Sequence, residues 1–101
     1  MTWEDGYPVT VNHDAETQHA IDAAAAVVGE QNVDTNTPPI LPAEDFAFML
    51  QEKPGCYVFI GNGDGEGGCM VHHPEYDFND DVLPLGASYW VKLTESLLPL
   101  P

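Results

Sequence analysis

Two adjacent histidines, His72 and His73, sit in the stretch GCMVHHPEYDFND, between an apolar triplet and a proline followed by acids. Neutral imidazole is a common protein ligand for a divalent metal. Glu75, Asp77, Asp80 and Asp81 follow closely enough to accept the second ring N–H of a ligating histidine and so orient it. Cys69-Met70-Val71 reads as a short extended segment before the pair, and Pro74 stiffens the chain after it. Successive side chains of an extended segment point to opposite sides, so at most one of the two faces a given site. The plainer alternative is a structural or solvated histidine with no ligand.

Other residues offer other chemistry. Cys56, Cys69 and His72 could form a self-contained zinc knuckle, with Cys69 and His72 separated as in small zinc modules. Against it, Cys56 opens an apolar run, where a free cysteine serves as a small hydrophobe, and a fourth ligand at a characteristic spacing is missing. Either cysteine paired with His72 would make a nucleophile only through a spatial arrangement that spacing does not reveal. Ser88 and Ser96 lack a nucleophile elbow. The acidic loop NGDGEGG resembles a calcium loop, but counting from Asn62 the twelfth position, which requires a bidentate Glu, is His73. Glu44 and Asp45 follow a proline-rich approach at the start of a helix, where a loop often lines a site. Those two acids equally suit the positive end of a helix dipole. His13 and His19 flank the first helix and read as surface residues.

The elements that would position these groups alternate. YPVTVN reads as an extended segment. HDAETQHAIDAAAAVVGE reads as a helix capped by Asp14 and stopped by Gly29, with Ile21, Ala24, Ala25 and Val28 on one face. A short strand is expected at residues 33–35. PAEDFAFMLQEKPG reads as a helix with Pro42 in its first turn and Phe46, Met49 and Leu50 sharing a face. CYVFIG is the strongest strand pattern, apolar enough for burial on both sides. A final helix is expected from about residue 85, with Tyr89, Leu93 and Leu97 inward. The expected fold class is therefore α/β, with helices packed on a partial sheet.

Composition narrows the partners. The 101 residues carry 17 Asp and Glu against Lys53 and Lys92 alone, a formal net charge of -15. Such a surface cannot neutralise phosphates, so nucleic acid and anionic membranes are excluded as partners. Repulsion of this size points to a high-salt habitat or to a partner that supplies positive charge. Two cysteines are too few for a disulfide framework, no signal-peptide pattern opens the chain, and a cytoplasmic location is expected.

The order of AEDFAFML, PGCYVFIGNG and HHPEYDFND, after YPVTVN and the alanine-rich helix, resembles the C-terminal end of metal-dependent amidohydrolases. The type is that of hippurate hydrolase and the N-acyl-amino-acid amidohydrolases, in the aminoacylase and carboxypeptidase group of metallopeptidases. The resemblance implies the C-terminal portion of a zinc-peptidase-like catalytic domain from residue 13 to 101, with residues 1 to 12 as the last strand of a lid or dimerisation domain. It implies hydrolysis of the amide of N-acyl amino acids with one or two divalent metals: zinc first, with manganese, nickel or cobalt as alternatives. It makes His72 a metal ligand, His73 a variable neighbour, and Glu44 and Asp45 neighbours of the active site. Pro42 departs from the family's usual glycine. The family's remaining metal ligands and its glutamate base have no counterparts here, so the chain is expected to be inert alone and to need a missing N-terminal half. The competing expectation is a non-catalytic acidic α/β module that associates with copies of itself.

Overall fold

Three helices order this chain, and the computed structural model describes residues 1–101. Helix α1 spans Asp14–Val28, α2 spans Phe46–Glu52 and α3 spans Leu83–Leu97, with short 3₁₀ turns at Glu30–Asn32 and Asp80–Val82. No segment is a β-strand. That corrects the α/β expectation at every extended stretch, residues 7–12, 33–35 and 56–61 alike. A strand needs a backbone partner as well as an extended conformation. Cys56 to Gly61 makes no backbone-to-backbone bond to any neighbouring segment.

Helix α1 begins one residue earlier than a cap at Asp14 would give. His13 holds the N-cap position, its carbonyl accepting the Thr17 N–H at 2.9 Å and the Thr17 hydroxyl at 2.8 Å. Gly29 stops the helix at φ 85°, donating its N–H to the Ala25 carbonyl at 2.8 Å. Only glycine takes that backbone region without strain. The buried face is Ala20 and Ala23 rather than the Ile21 set, and α1 packs on α3. On α3, Tyr89 and Leu93 turn inward as their spacing predicts, while Leu97 stays half-exposed. Pro84 lies in the first turn of α3, where its missing N–H costs nothing.

Helix α2 is shorter than expected. Pro42 lies ahead of it, Asp45 is its N-cap, and Ala47 and Leu50 are its buried residues while Met49 is exposed. The core consists of Ala20, Ala23, Ala47 and Leu50. Accordingly the radius of gyration is 16.0 Å, against about 13 Å for a compact chain of this length. The accessible surface is 8751 Å², against about 5,600 Å² for a compact protein of this mass. Trp3, Phe59, Phe78, Leu83 and Trp90 are among the large apolar side chains left exposed. No helix is long and apolar enough to cross a membrane.

A polar clasp joins the start of α1 to the extended run. The Asn12 side-chain amide donates to the Tyr57 carbonyl at 3.0 Å and accepts the Tyr57 N–H at 2.8 Å. One residue on, the His13 N–H donates to the Gly55 carbonyl at 3.0 Å, and the Gly55 N–H donates to His13 Nδ1 at 3.1 Å. His13 is thus a structural residue, where its place beside a helix had suggested a surface one. Asn12→Ala removes both bonds to Tyr57 and is expected to cost about 1 kcal/mol, since each solvent-accessible hydrogen bond has a small net worth. A urea unfolding midpoint unchanged from the parent would count against the clasp.

Candidate functional site

The histidine pair is carried by a laced loop. Asn62 and Asn79 close its ends: Asn62 Nδ2 donates to the Asp77 carbonyl at 2.7 Å, and the Asn79 N–H donates to Asn62 Oδ1 at 2.8 Å. The Asn79 side chain also accepts the Asp81 N–H at 3.0 Å, which ties the loop to the 3₁₀ turn that leads into α3. Midway, the Asp77 N–H donates to the Gly67 carbonyl at 3.2 Å. Gly67 has φ 78°, and a Cβ there would lie 2.6 Å from the Asp77 Cβ, so this close approach requires glycine.

Within the loop the two histidines are not alternating members of an extended segment. They belong to a turn, closed by the His73 N–H donating to the Met70 carbonyl at 3.1 Å. His72 occupies the third position of that turn with φ 71°, the only non-glycine positive φ in the chain. Turns usually place glycine or asparagine at that position. The two rings differ in engagement. His73 Nδ1 accepts the Glu75 N–H at 3.1 Å, and the His73 carbonyl accepts the Tyr76 N–H at 3.0 Å. The His72 ring makes no hydrogen bond and is exposed.

The prospective ligands do not converge. No three His, Cys, Asp or Glu side chains come together in a way that could hold a metal ion. Cys56 lies against α1, its Sγ 3.6 Å from the Thr17 hydroxyl oxygen, while the Cys69 thiol points to the Gly67 carbonyl at 3.7 Å. Both are free thiols. The zinc knuckle of Cys56, Cys69 and His72 is therefore not assembled, and the donors of this chain alone do not fit a divalent cation.

Glu44 and Asp45 stand ahead of α2, some way along the chain from the histidine loop. Glu44 Oε1 accepts the Phe46 N–H at 3.1 Å, so the acid does serve the helix start. Its other oxygen, Oε2, accepts the Tyr57 hydroxyl at 3.0 Å. The Phe46 N–H foremost, then the Tyr57 hydroxyl, hold the Glu44 carboxyl below the usual glutamate range, with burial opposing them and Asp45 adding to them. Reciprocally, the bond to Glu44 raises the Tyr57 phenol, helped by burial and by the charges of Glu44 and Asp45. Sequence reasoning missed Tyr57 and Asn12. The signal was a tyrosine inside an apolar run, because a phenol among hydrophobes needs a hydrogen-bond partner.

Two hollows flank these groups. One, of about 170 Å³, lies between α1 and α3 and is lined by Glu16, His19, Cys56, Tyr89 and Trp90. Burial in this contact raises the Tyr89 phenol, with a smaller contribution from Cys56. The other, of about 330 Å³, is largely apolar and lies beside the loop, lined by Ile60, Tyr76, Phe78, Val82 and Leu83.

Similarity to known proteins covers almost the whole chain. Residues 1–96 match peptidase family M20/M25/M40. A hippurate hydrolase of Campylobacter jejuni is 37% identical over 86 residues, covering 85% of this chain and 22% of that protein. Thermostable carboxypeptidase 2 of Saccharolobus solfataricus is 37% identical over 86 residues, covering 83% of this chain and 21% of that protein. An Arabidopsis thaliana IAA-amino acid hydrolase is 33% identical over 94 residues, covering 91% of this chain and 20% of that protein. The chain thus spans about a fifth of the length of the curated relatives it matches. No solved structure matches.

Proposed function

This chain belongs to peptidase family M20/M25/M40, and from that membership we propose that it is the C-terminal part of a metal-dependent hydrolase of N-acyl amino acids. The observation that carries the reading is the similarity of most of the chain to a hippurate hydrolase. The plant relative is likewise named as a hydrolase, an IAA-amino acid hydrolase. His72 is the metal ligand that this chain contributes: its ring is free at the tip of a turn, whereas the ring of His73 is engaged by Glu75. Residues 1 to 12 arrive from a lid or dimerisation domain. Glu44 and Asp45 border the site.

The open surface supports this division of labour, since the total accessible area of 8751 Å² greatly exceeds the about 5,600 Å² of a compact protein of this mass and many large apolar side chains lie exposed on it. The rest of the enzyme covers that surface, and bond cleavage belongs to residues outside the chain. Hippurate incubated with the pure 101-residue protein and zinc or manganese should remain intact. Hydrolysis should appear when a polypeptide matching the remaining four fifths of a relative is added. Turnover by the chain alone would overturn the fragment reading, and a stable complex without turnover would overturn the hydrolase reading. A second reading, a non-catalytic module that pairs with copies of itself, draws on the same open surface. It predicts a dimer in light scattering that the added polypeptide does not displace.

A further inference from the structure

The Glu44 carboxylate is held from two directions. Its Oε1 is tied to the helix by the Phe46 N–H at 3.1 Å, and its Oε2 is tied to the extended run by the Tyr57 hydroxyl at 3.0 Å. Tyr57 is itself immobilised. Asn12 grips its backbone on both the N–H and the carbonyl, and its ring lies 5.5 Å from that of Phe46 and 5.3 Å from that of Phe59. The helix start and the extended run therefore meet on one carboxylate, and a third segment, at Asn12, holds the extended run in place. A cap for α2 requires only the Phe46 bond. The Tyr57 bond is additional, and with Oε1 it removes the rotational freedom that an exposed glutamate ordinarily keeps.

We propose that Tyr57 is a positioning residue for Glu44, presenting the free lone pairs of its carboxylate as a fixed acceptor for an N–H donor such as a substrate amide. The role in substrate binding rests on the hydrolase reading above; the positioning itself does not. Asn12 acts one step further back, by setting where the Tyr57 hydroxyl lies. A phenol donating to a carboxylate favours the ionised carboxylate and disfavours the ionised phenol, so each group reports on the other.

The test uses the full 101-residue chain and does not read activity, so failure of the hydrolase reading leaves its outcome intact. Carboxyl-labelled glutamate followed by carbon NMR against pH should show Glu44, identified by its loss in Glu44→Gln, titrating below the other glutamates. Tyr57→Phe keeps the ring and its stacking but removes the hydroxyl. It should move the Glu44 midpoint upward while the other glutamates stay in place. Independently, the absorbance of phenolate in Glu44→Gln should show Tyr57 ionising at lower pH than in the parent, an experiment that does not depend on Tyr57→Phe folding. Asn12→Ala should produce both shifts in weaker form. A Glu44 midpoint unmoved by Tyr57→Phe, or a Tyr57 transition unmoved by Glu44→Gln, would overturn the proposal.

Discussion

His72→Ala in the assembled hydrolase is expected to lower kcat/KM for an N-acyl amino acid by at least ~100-fold, with a matching loss of bound metal. Even partners that merely orient a ligand cost 10- to 100-fold when removed, so losing the ligand itself sets that floor. His73→Ala should leave both quantities within a few-fold of the parent. The asymmetry follows from the turn. Left-handed backbone at His72, φ 71°, carries a ring with no hydrogen bond, whereas the His73 ring is occupied by the Glu75 N–H at 3.1 Å. Metal analysis of the purified variants beside the kinetics separates loss of ligation from loss of folding. Retention of metal by His72→Ala with loss in His73→Ala would reverse the assignment.

The thermal unfolding midpoint of the chain should rise by on the order of 10 °C or more between dilute buffer and ~2 M KCl. The chain carries a net charge of -15, and its acids find one exposed ion pair, Lys92 to Glu95 at 3.5 Å. Such a pair is worth little. Spread over a body of radius of gyration 16.0 Å, the unbalanced charge repels itself by roughly a few kcal/mol more when folded than when unfolded. Molar salt shortens the screening length to a few Å and removes most of that difference. For a domain of about 100 residues each kcal/mol moves the midpoint by about 4–8 °C. Because salt also strengthens apolar burial, the control is the same series near pH 4, where many carboxylates are protonated. There the salt dependence should shrink. A midpoint independent of KCl at neutral pH would show that the repulsion is not felt.

The helices were legible to different degrees. Gly29 marks the end of α1, and Tyr89 and Leu93 mark the inward side of α3, which starts at Leu83 where residue 85 was expected. The inward side of α1 was misread by one position because AAAAVV is nearly uniform in hydrophobicity. Which alanine is buried, Ala20 and Ala23 in the event, depends on where α3 lies. The extended character of CYVFIG was legible, but a sheet was not a property of those residues. It would have required a neighbouring backbone, and here the side chain of Asn12 takes the place of a strand on Tyr57.

At the site, sequence alone determined the family to which AEDFAFML, PGCYVFIGNG and HHPEYDFND belong, because residue types in order are what a family shares. It also determined the charge and the two helix-forming stretches around α1 and α3, which follow from local composition and periodicity. Only the tertiary structure decided that the histidines sit in a turn with one ring engaged and one free. It likewise decided that Cys56, Cys69 and His72 stay apart, and that Glu44 is gripped by Tyr57 across 13 residues. Those outcomes depend on distances between segments remote along the chain. Residue identity and spacing limit such distances without setting them.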